Sequence, residues 1–539
     1  MNLSTIKQTG KVSAYALAAV GMLALSACSS EDNLTNNANT NDFTPSEQTL
    51  TNLADSTISE FLAFAKTPRP GKPDKESHNL DKARDYLVNW AKKHNFTVSY
   101  DSQSNVWIDV PANNESMASF PTVILQGHMD MVCSSKSGET YDYTQVVGEP
   151  YYDGDLLKGR KVNLGADDGV GVGMALAIAS SNIAHGPLRL LITANEDTDM
   201  EGAINLDPSV LNTDYLINID EEEIGKVSSG CLGSYTVNFE DDLSAKTTTD
   251  ITRKSVIDFT LTGLPGGHSG VKIGEHILSA TTVTSEIIKN VITPASGNIS
   301  YINCGKYDNA IADATTMQFV VDEARAEDCV SQIKKIITDY QKEYTDVTLT
   351  YNVTKDGSLG SNKMISEGYN ATLNKLFEQV KQGVIERDSI NVPTKSNNIG
   401  VVSIMDGKVF IRSMFRSYFT EWLESEKTRL LTVRTELGMT GNSGDNMYYV
   451  PAWSVASDNK FRDKFLEYYK ENYPKAFTER AYGGLECGYF VQKRSTLNAI
   501  SVGPQVDNAH TIDEAVHVST IKPLATTIVK MLQNIDAFK

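Results

Sequence analysis

One ten-residue stretch, 123–132 with the sequence VILQGHMDMV, constrains the fold more than any other part of the chain. Its apolar start is typical of a strand that is buried on both faces of a sheet. His128 and Asp130 follow two residues apart, so in extended backbone their side chains point to the same side. Ligands of open α/β sheets bind beyond the carboxyl ends of the strands. The stretch therefore predicts a buried strand that ends at a metal site.

The charge balance argues against nucleic acid as a partner. The chain has 539 residues, with 68 acidic and 49 basic side chains and a formal net charge of −19. Binding to phosphate groups needs a basic surface, and an acidic surplus of this kind indicates a solubilising surface. The length is more than one ordinary domain requires, so we expect at least two domains.

The N-terminus has the pattern of an export signal. Two lysines precede the apolar run 14–25, and Leu-Ser-Ala then precedes Cys28, which is typical of a secretory leader and resembles the lipobox of bacterial lipoproteins. We expect a signal peptide at 1–27, a lipid anchor on Cys28 and a flexible tether at 28–46. This places the protein in a bacterial cell envelope, on the periplasmic or surface side of the outer membrane. An ordinary signal peptide with an incidental Cys28 is the alternative.

Two kinds of periodicity divide the rest of the chain. Apolar strands alternate with helices up to residue 220, which predicts an α/β fold with a mostly parallel sheet flanked by helices. From about residue 234 to 431, amphipathic strands and helices indicate an inserted α+β domain. Apolar strands without alternation return after residue 444. We therefore expect one domain in two parts, 47–232 and 446–539, interrupted by an insertion at 233–445.

Acidic and histidine side chains stand at the ends of the predicted strands: His128, Asp167, Glu196, Asp197, Asp220 and His510. Two imidazoles and three carboxylates form a nitrogen and oxygen donor set that suits zinc, with cobalt or manganese as alternatives. The two oxygens of Asp167 allow it to bridge two ions about 3.5–4 Å apart, which is the spacing at which two cations activate one water. Glu196, beside a ligand without being one, has the position of a general base.

Other acids near these positions have structural interpretations. Asp168 fits an acid at a helix N-terminus, favoured there by the helix dipole. The run 221–223 fits a solvated loop, with only Asp220 in the site.

Six motifs occur in a fixed order along the chain: Gly127-His-Met-Asp130, Gly165-Ala-Asp-Asp-Gly169, Glu196-Asp-Thr-Asp-Met-Glu-Gly-Ala203, Leu264-Pro-Gly-Gly-His-Ser-Gly270, Gly484-Leu-Glu-Cys-Gly488 and Gly503-Pro with His510-Thr-Ile-Asp-Glu514. Together they resemble the co-catalytic zinc peptidases of the aminoacylase/carboxypeptidase clan, in particular its aminoacyl-histidine (Xaa-His) dipeptidase branch. The resemblance runs from about residue 47 to the C-terminus. It implies a dizinc exopeptidase-like catalytic domain with an inserted lid domain.

The resemblance also implies how the metals are held. His128 and Asp220 would bind one ion, Asp197 and His510 the other, and Asp167 both. The branch usually has two consecutive glutamates where this chain has Glu-Asp, so the shorter Asp197 puts the metal spacing in question.

The same resemblance assigns catalytic roles. Asp130 would orient the imidazole of His128. Glu196 would take a proton from the metal-bound water and return it to the leaving amine. His268, from the lid domain, would steady the tetrahedral oxyanion.

Three further residues would contact the substrate. Asn309 and Arg412 would hold its carboxylate, for which a guanidinium is suited, and Glu486 would recognise its free amine. A surface ion pair is the alternative role for Arg412.

The expected function is a dizinc metallo-dipeptidase that hydrolyses short peptides with a free N-terminus, Xaa-His or broader dipeptides, through a metal-bound hydroxide. Two alternatives stay open: an aminoacylase or carboxypeptidase-like amidohydrolase, and a surface lipoprotein that binds peptides without cleaving them. Intact Glu196 and the full ligand set disfavour the second. The expected partners are small peptides and, through the lipid anchor, a membrane; a homodimer is an assembly that the sequence leaves open.

Overall fold

The computed structural model describes residues 43–71, 79–247, 254–359, 363–389, 391–441, 449–454, 459–481 and 483–538. The predicted signal peptide, Cys28 and nearly all of the predicted tether lie outside the described residues. Thr44–Lys539 form one compact unit.

Twelve α-helices lie within the described residues. They are α1 (Glu47–Phe64), α2 (Asp81–Lys93), α3 (Ala166–Ser180), α4 (Glu196–Asp199), α5 (Glu201–Asn205), α6 (Ala280–Ile287), α7 (Glu323–Gln341), α8 (Asn370–Gln379), α9 (Thr420–Glu436), α10 (Lys460–Asn472), α11 (Glu486–Lys493) and α12 (Ile521–Gln533). Short 3-10 turns cover Glu115–Met117, Pro208–Leu211, Ser244–Lys246, Ile273–Glu275, Glu367–Tyr369, Val518–Thr520 and Ile535–Phe538, and a π-helical turn covers Ile288–Ile292.

Twenty-two strands lie within the same ranges. They are β1 (Thr97–Tyr100), β2 (Val106–Val110), β3 (Val123–His128), β4 (Glu149–Asp153), β5 (Leu156–Arg160), β6 (Leu188–Thr193), β7 (Tyr215–Asn218), β8 (Lys226–Cys231), β9 (Gly233–Asp242), β10 (Lys254–Thr262), β11 (Gly267–His268), β12 (Asn298–Cys304), β13 (Ala310–Ile311), β14 (Thr315–Asp322), β15 (Thr348–Lys355), β16 (Gly383–Arg387), β17 (Pro393–Met405), β18 (Lys408–Ser417), β19 (Phe477–Ala481), β20 (Asn498–Ser501), β21 (Val506–Asp507) and β22 (Ala515–His517).

The first large sheet, called the main sheet, has the strand order β1-β2-β6-β3-β7-β20-β8-β19. Its centre is parallel: β3 lies between β6 and β7, and β20 pairs in parallel with β7. The hairpin of β1 and β2 adds an antiparallel edge beside β6. Because β20 comes from the C-terminal part of the chain, both ends of the sequence build this sheet. The predicted α/β class with a mostly parallel sheet is confirmed.

Both faces of the main sheet are covered, as the unbroken apolar run of β3 predicts. Alternate side chains of a strand point to opposite faces. Leu125 belongs to a buried cluster with Phe61 of α1 and Leu524 of α12, whereas Ile124 belongs to a second cluster with Phe490 of α11. All six residues of β3 are buried, so the end of this strand is fixed from two sides.

The second large sheet, called the lid sheet, is antiparallel with the order β15-β10-β14-β12-β17-β18-β9, and β16 pairs with β17. Helices α6 to α9 share a buried cluster with one face of it. Only Leu232 separates β8 of the main sheet from β9 of the lid sheet. The elements from β9 to α9 fall within the predicted insertion, while the exact limits 233 and 445 stay a prediction.

Two small sheets place individual loops. The four-stranded sheet β21-β22-β5-β4 holds the hairpin loop that carries His510. The pair β11-β13 sets His268 opposite Ala310.

Among the described residues, no helix has the length and apolarity that crossing a membrane requires.

Candidate metal centre and active site

The carboxyl ends of three neighbouring strands gather the predicted metal ligands. β6, β3 and β7 run parallel in that order, so their carboxyl ends meet at one edge. His128 is the last residue of β3, Asp197 follows β6 and Asp220 follows β7. This topology explains why residues almost one hundred positions apart converge on one point.

His128 contacts two carboxylates through one ring nitrogen. Its Nε2 lies 3.1 Å from Oδ1 of Asp167 and 3.3 Å from Oδ1 of Asp220. The histidine side chain is 1% exposed. His128, Asp167 and Asp220 each offer a ligand atom within 4.8 Å of the others, so these three residues can hold one cation.

His510 makes the matching arrangement on the other side of Asp167. Its Nε2 lies 3.1 Å from Oδ2 of Asp167 and 2.8 Å from Oδ1 of Asp197. Asp167, Asp197 and His510 again form a group whose ligand atoms lie within 4.8 Å of one another. Asp167 therefore presents one oxygen to each histidine, which is the geometry of a carboxylate shared by two cations. The peptide bond between Asp167 and Asp168 is cis.

The charges of the cluster show that it is built to surround cations. Burial alone would lower the pKa of His128, but Asp220 and Asp197 outweigh it and raise that pKa well above the ordinary value. Hydrogen bonds to Asp167 and Asp197 raise the pKa of His510 to about 11. A donor set of two imidazoles and three carboxylates, without sulfur, fits zinc, cobalt or manganese.

The acids of the cluster differ in the net direction of their pKa shifts. Burial raises the pKa of Asp220 to about 7. Burial also acts to raise the pKa of Asp167, but hydrogen bonds from His128 and His510 hold it below its ordinary value. Of the two cluster carboxylates with a resolved shift, Asp167 is therefore the one that ionises at lower pH.

Asp130 and Glu196 lie beside the ligands. Oδ1 of Asp130 accepts the backbone N–H of Glu196 at 3.0 Å and lies 3.5 Å from Nδ1 of His128. Glu196 offers a ligand atom within 4.8 Å of His128 and Asp197, and burial raises the pKa of Glu196 well above its ordinary value. The structure thus places a carboxyl group at the edge of the donor set and connects it to His128 through Asp130.

Two side chains that the sequence analysis missed support the Asp167 loop. Glu514 accepts the backbone N–H of Gly165 at 2.7 Å and that of Asp167 at 3.5 Å. The guanidinium of Arg69 is fully buried and donates to the carbonyls of Met129, Asp130 and Gly165. Glu514 ends the last of the six motifs, so the sequence contained a signal for it. Arg69 left no such signal, because its partners are 60 to 96 positions away.

The structure confirms one interpretation of a neighbouring acid and corrects another. Asp168 lies in the first turn of α3, as predicted. Asp168 is buried, and its Oδ2 accepts the backbone N–H of His128 at 3.1 Å, so it fixes the end of β3 and does more than stabilise a helix terminus. Glu221 is also buried and pairs with Lys226 at 3.1 Å, so the prediction that it is solvated is wrong. In both cases a nearby donor supplies the partner that a buried carboxylate requires.

Glu486 lies under the cluster in a polar network. Its Oε2 accepts hydrogen bonds from Gln126 at 2.6 Å and Thr193 at 2.8 Å, while Oε1 has no partner. Burial raises the pKa of this carboxyl to about 8. The charges of His128 and Asp220 also act on it, so Glu486 lies near the donor set.

The predicted lid residues lie apart from the donor set. His268 and Asn309 are both exposed and adjacent, since the N–H next to His268, that of Ser269, donates to the Asn309 carbonyl at 2.8 Å. Arg412 donates from Nε to Asn238 at 3.0 Å, so the surface ion pair is not its main contact. Within the described residues, no hydrogen bond or ion pair joins these three side chains to the metal cluster.

Comparisons with known proteins agree with this geometry. The model of peptidase family M20/M25/M40 matches residues 124–534. The cytosol non-specific dipeptidase of Escherichia coli (strain K12) is 29% identical over 488 residues, which cover 88% of this chain and 97% of the relative.

Solved structures show the same architecture. The aminoacylhistidine dipeptidase of Vibrio alginolyticus matches with a TM-score of 0.77 and 25% identity, over 88% of this chain and 96% of that one. The M20 family metallo-carboxypeptidase Sso-CP2 of Sulfolobus solfataricus matches with a TM-score of 0.50 and 14% identity, over 90% and 100% of the two chains, and this likeness concerns the fold alone.

Proposed function

The chain belongs to peptidase family M20/M25/M40 and is a metal-dependent hydrolase of peptide bonds; on that premise we propose that it is a dipeptidase with two divalent cations at the His128 and His510 sites. The two-metal proposal rests on one observation: the two oxygens of Asp167 contact different histidines, Oδ1 His128 and Oδ2 His510. We propose zinc as the native ion, with cobalt and manganese as the metals to test against it.

We propose that the substrates are dipeptides with a free N-terminus, Xaa-His among them. Two relatives support this range by their names, one a non-specific dipeptidase and the other an aminoacylhistidine dipeptidase. Glu486 is the residue that we propose for the ammonium group, because its Oε1 has no hydrogen-bond partner and a bound cation would favour the ionised form of its carboxyl.

The protein groups would divide the reaction between them. Two bound cations would supply an activated water and polarise the peptide carbonyl. Glu196 would take the proton of that water and return it to the leaving amine, since it lies beside His128 and Asp197 at the edge of the donor set. Asp130 would keep Glu196 and His128 in place through the contacts described above. His268, Asn309 and Arg412 would meet the substrate from the lid.

Replacing Glu196 with Gln tests the catalytic assignment. Because the amide keeps the shape of the side chain but cannot accept the proton, we expect kcat on dipeptides to fall roughly 10²- to 10⁴-fold, with two metal equivalents retained. The measurements are steady-state kinetics on a dipeptide panel and metal content by mass spectrometry.

Two comparisons make this test specific. Glu223→Gln changes an exposed acid three residues from Asp220 and should leave kcat unaltered. An N-acetylated dipeptide tests the free amine: hydrolysis as fast as that of the free peptide would favour an aminoacylase. Unchanged turnover in the Glu196→Gln variant would contradict the proposed role.

We also propose that Cys28 anchors the protein to the cell envelope, on the evidence of the leader sequence alone. The Cys28→Ser variant should then appear in the soluble fraction while the wild type stays with membranes and incorporates labelled fatty acid. Equal partition of the two proteins would contradict the anchor.

A further inference from the structure

The lid sheet contains a buried guanidinium that no acid of the described chain balances. Arg416 on β18 is 5% exposed. Its Nη2 contacts only the sulfur of Met414, at 3.1 Å, and its Nε has no hydrogen-bond partner. Within the described residues it forms no ion pair. Because a buried cation without a counter-charge is costly, this arrangement points to an anion that comes from outside the chain.

The charges near Arg416 leave a positive surplus. Asp308 is the acid whose charge acts on Arg416, and it is already engaged: Oδ1 accepts the N–H of Asn309 at 3.0 Å, and Oδ2 accepts the hydroxyl of Thr236 at 3.3 Å. The same Oδ2 lies 4.0 Å from Nη1 of Arg412. One carboxylate thus serves two guanidiniums, and the pair keeps a positive surplus.

The two arginines occupy different points on the same face of the sheet. They are four residues apart on β18, so both point away from the face that the lid helices cover. A separation of four residues places their Cα atoms about 13 Å apart. The guanidinium of Arg412 is held away from Arg416 by its hydrogen bond to Asn238, the residue opposite it on β9. The two guanidiniums are therefore suited to two separate carboxylates better than to a single one.

Arg416 lies at the end of the lid sheet that adjoins the main sheet. Across β9 it pairs with Ser234, and Ser234 in turn pairs with Val450. Val450 packs against Gly484, two residues before Glu486, which lies near the donor set. The charge of Arg416 also acts on His268, which the proposed mechanism assigns to the substrate. Arg416 is thus on the side of the lid sheet where a peptide would be held.

We propose that Arg416 binds a second carboxylate of the substrate, the acidic side chain of the C-terminal residue, so that the enzyme prefers dipeptides that end in glutamate or aspartate. This inference rests on the proposed dipeptidase function, in which Arg412 takes the α-carboxylate present in every dipeptide. The charge that remains on Arg416 then favours a residue with two carboxylates over one with a single carboxylate.

Ala-Glu and Ala-Gln are the substrates that test it, because they have nearly the same shape and differ in one charge. We expect the wild type to show a kcat/KM for Ala-Glu at least about tenfold above that for Ala-Gln, as a charge-assisted hydrogen bond allows. In Arg416→Gln the ratio should fall to near one, and in Arg416→Lys it should take an intermediate value. Arg412→Gln should lower kcat/KM for both peptides and keep their ratio above one.

Lys408→Gln removes an exposed cation from the start of the same strand and should change neither rate nor ratio. A wild-type ratio of one or less would overturn the inference without need of any variant. So would a ratio that Arg416→Gln leaves intact, or equal losses on both peptides in that variant. Failure of the wild type to cleave any dipeptide would instead refute the proposed function, and the inference with it.

Discussion

At the scale of residues, the proposal of two cations depends on Asp167. It contacts His128 with one oxygen and His510 with the other, whereas Asp220 contacts only His128 and Asp197 only His510 among the two histidines. The donor set is therefore two overlapping groups with one shared member. Removing the shared member and removing an unshared one should have different consequences.

We expect Asp167→Ala to lose both metal equivalents and Asp197→Ala to lose one. In the second variant His128, Asp167 and Asp220 still form a complete group. Metal content after dialysis against a weak chelator measures the difference. Glu223→Gln, an exposed acid of the loop after Asp220, should keep both ions. Equal loss from the two alanine variants would show that Asp167 is not shared.

The shorter side chain of Asp197 still reaches its partners. Its Oδ1 lies 2.8 Å from Nε2 of His510, and its Oδ2 accepts the N–H of Val132 at 3.0 Å. Asp197 thus contacts His510 with one oxygen, and the chain that follows β3 fixes the other.

At the scale of elements, hydrogen bonds from Arg69 connect the end of β3 to the loop that precedes α3. It donates to carbonyls on both segments, and its guanidinium lies over the ring of Phe64, 4.9 Å from the centroid. Asp130 is on the first segment, and Asp167 follows the second. The relative position of two site segments therefore depends on one buried side chain.

Replacing Arg69 with Met should destabilise the protein, because several buried carbonyls lose their donor at once. Each unsatisfied buried group costs roughly 1–3 kcal/mol, so we expect the free energy of unfolding to fall by at least about 2 kcal/mol, as measured by urea denaturation. Arg84→Met removes an arginine that pairs with surface acids, Asp81 and Asp85, and should cost about 0–1 kcal/mol. A similar loss of unfolding free energy in both variants would contradict the proposed role of Arg69 in connecting these segments.

The sequence predicted those elements whose burial leaves a local pattern. The apolar runs of β3, β6 and β7 are buried on both faces, so composition alone marks them, and parallel pairing then brings their ends together. The contacts of Arg69 and Glu514 leave no such pattern, because their partners lie far away in sequence. The same limit hid Arg416: its burial depends on the register of β18 with β9, which no local periodicity encodes.

At the scale of the whole molecule, the buried acids of the site make the stability of the protein without bound cations depend on pH. Burial raises the pKa of Asp220 to about 7 and that of Glu486 to about 8. These carboxyls hold protons in the folded protein at pH values where the unfolded chain, with pKa values near 4, has released them. Their contribution to stability therefore falls as pH rises from about 4 to 8.

His510 acts in the same direction. Its folded pKa of about 11 lies above the unfolded value of about 6.5, so its contribution is complete below pH 6.5 and is lost as pH rises toward 11. We expect the Tm of chelator-treated protein to fall between pH 5 and 9. Bound cations favour ionised carboxylates and neutral imidazoles, so the increase in Tm on adding zinc should grow over the same interval. A metal-free Tm that rises with pH would contradict this electrostatic account.

The account depends on two cations that share Asp167. Anomalous diffraction from crystals grown with zinc tests this most directly. We predict two peaks about 3.5–4 Å apart, one beside His128 and Asp220, the other beside Asp197 and His510, with an oxygen of Asp167 on each. A single peak, or peaks without Asp167 between them, would contradict the central claim.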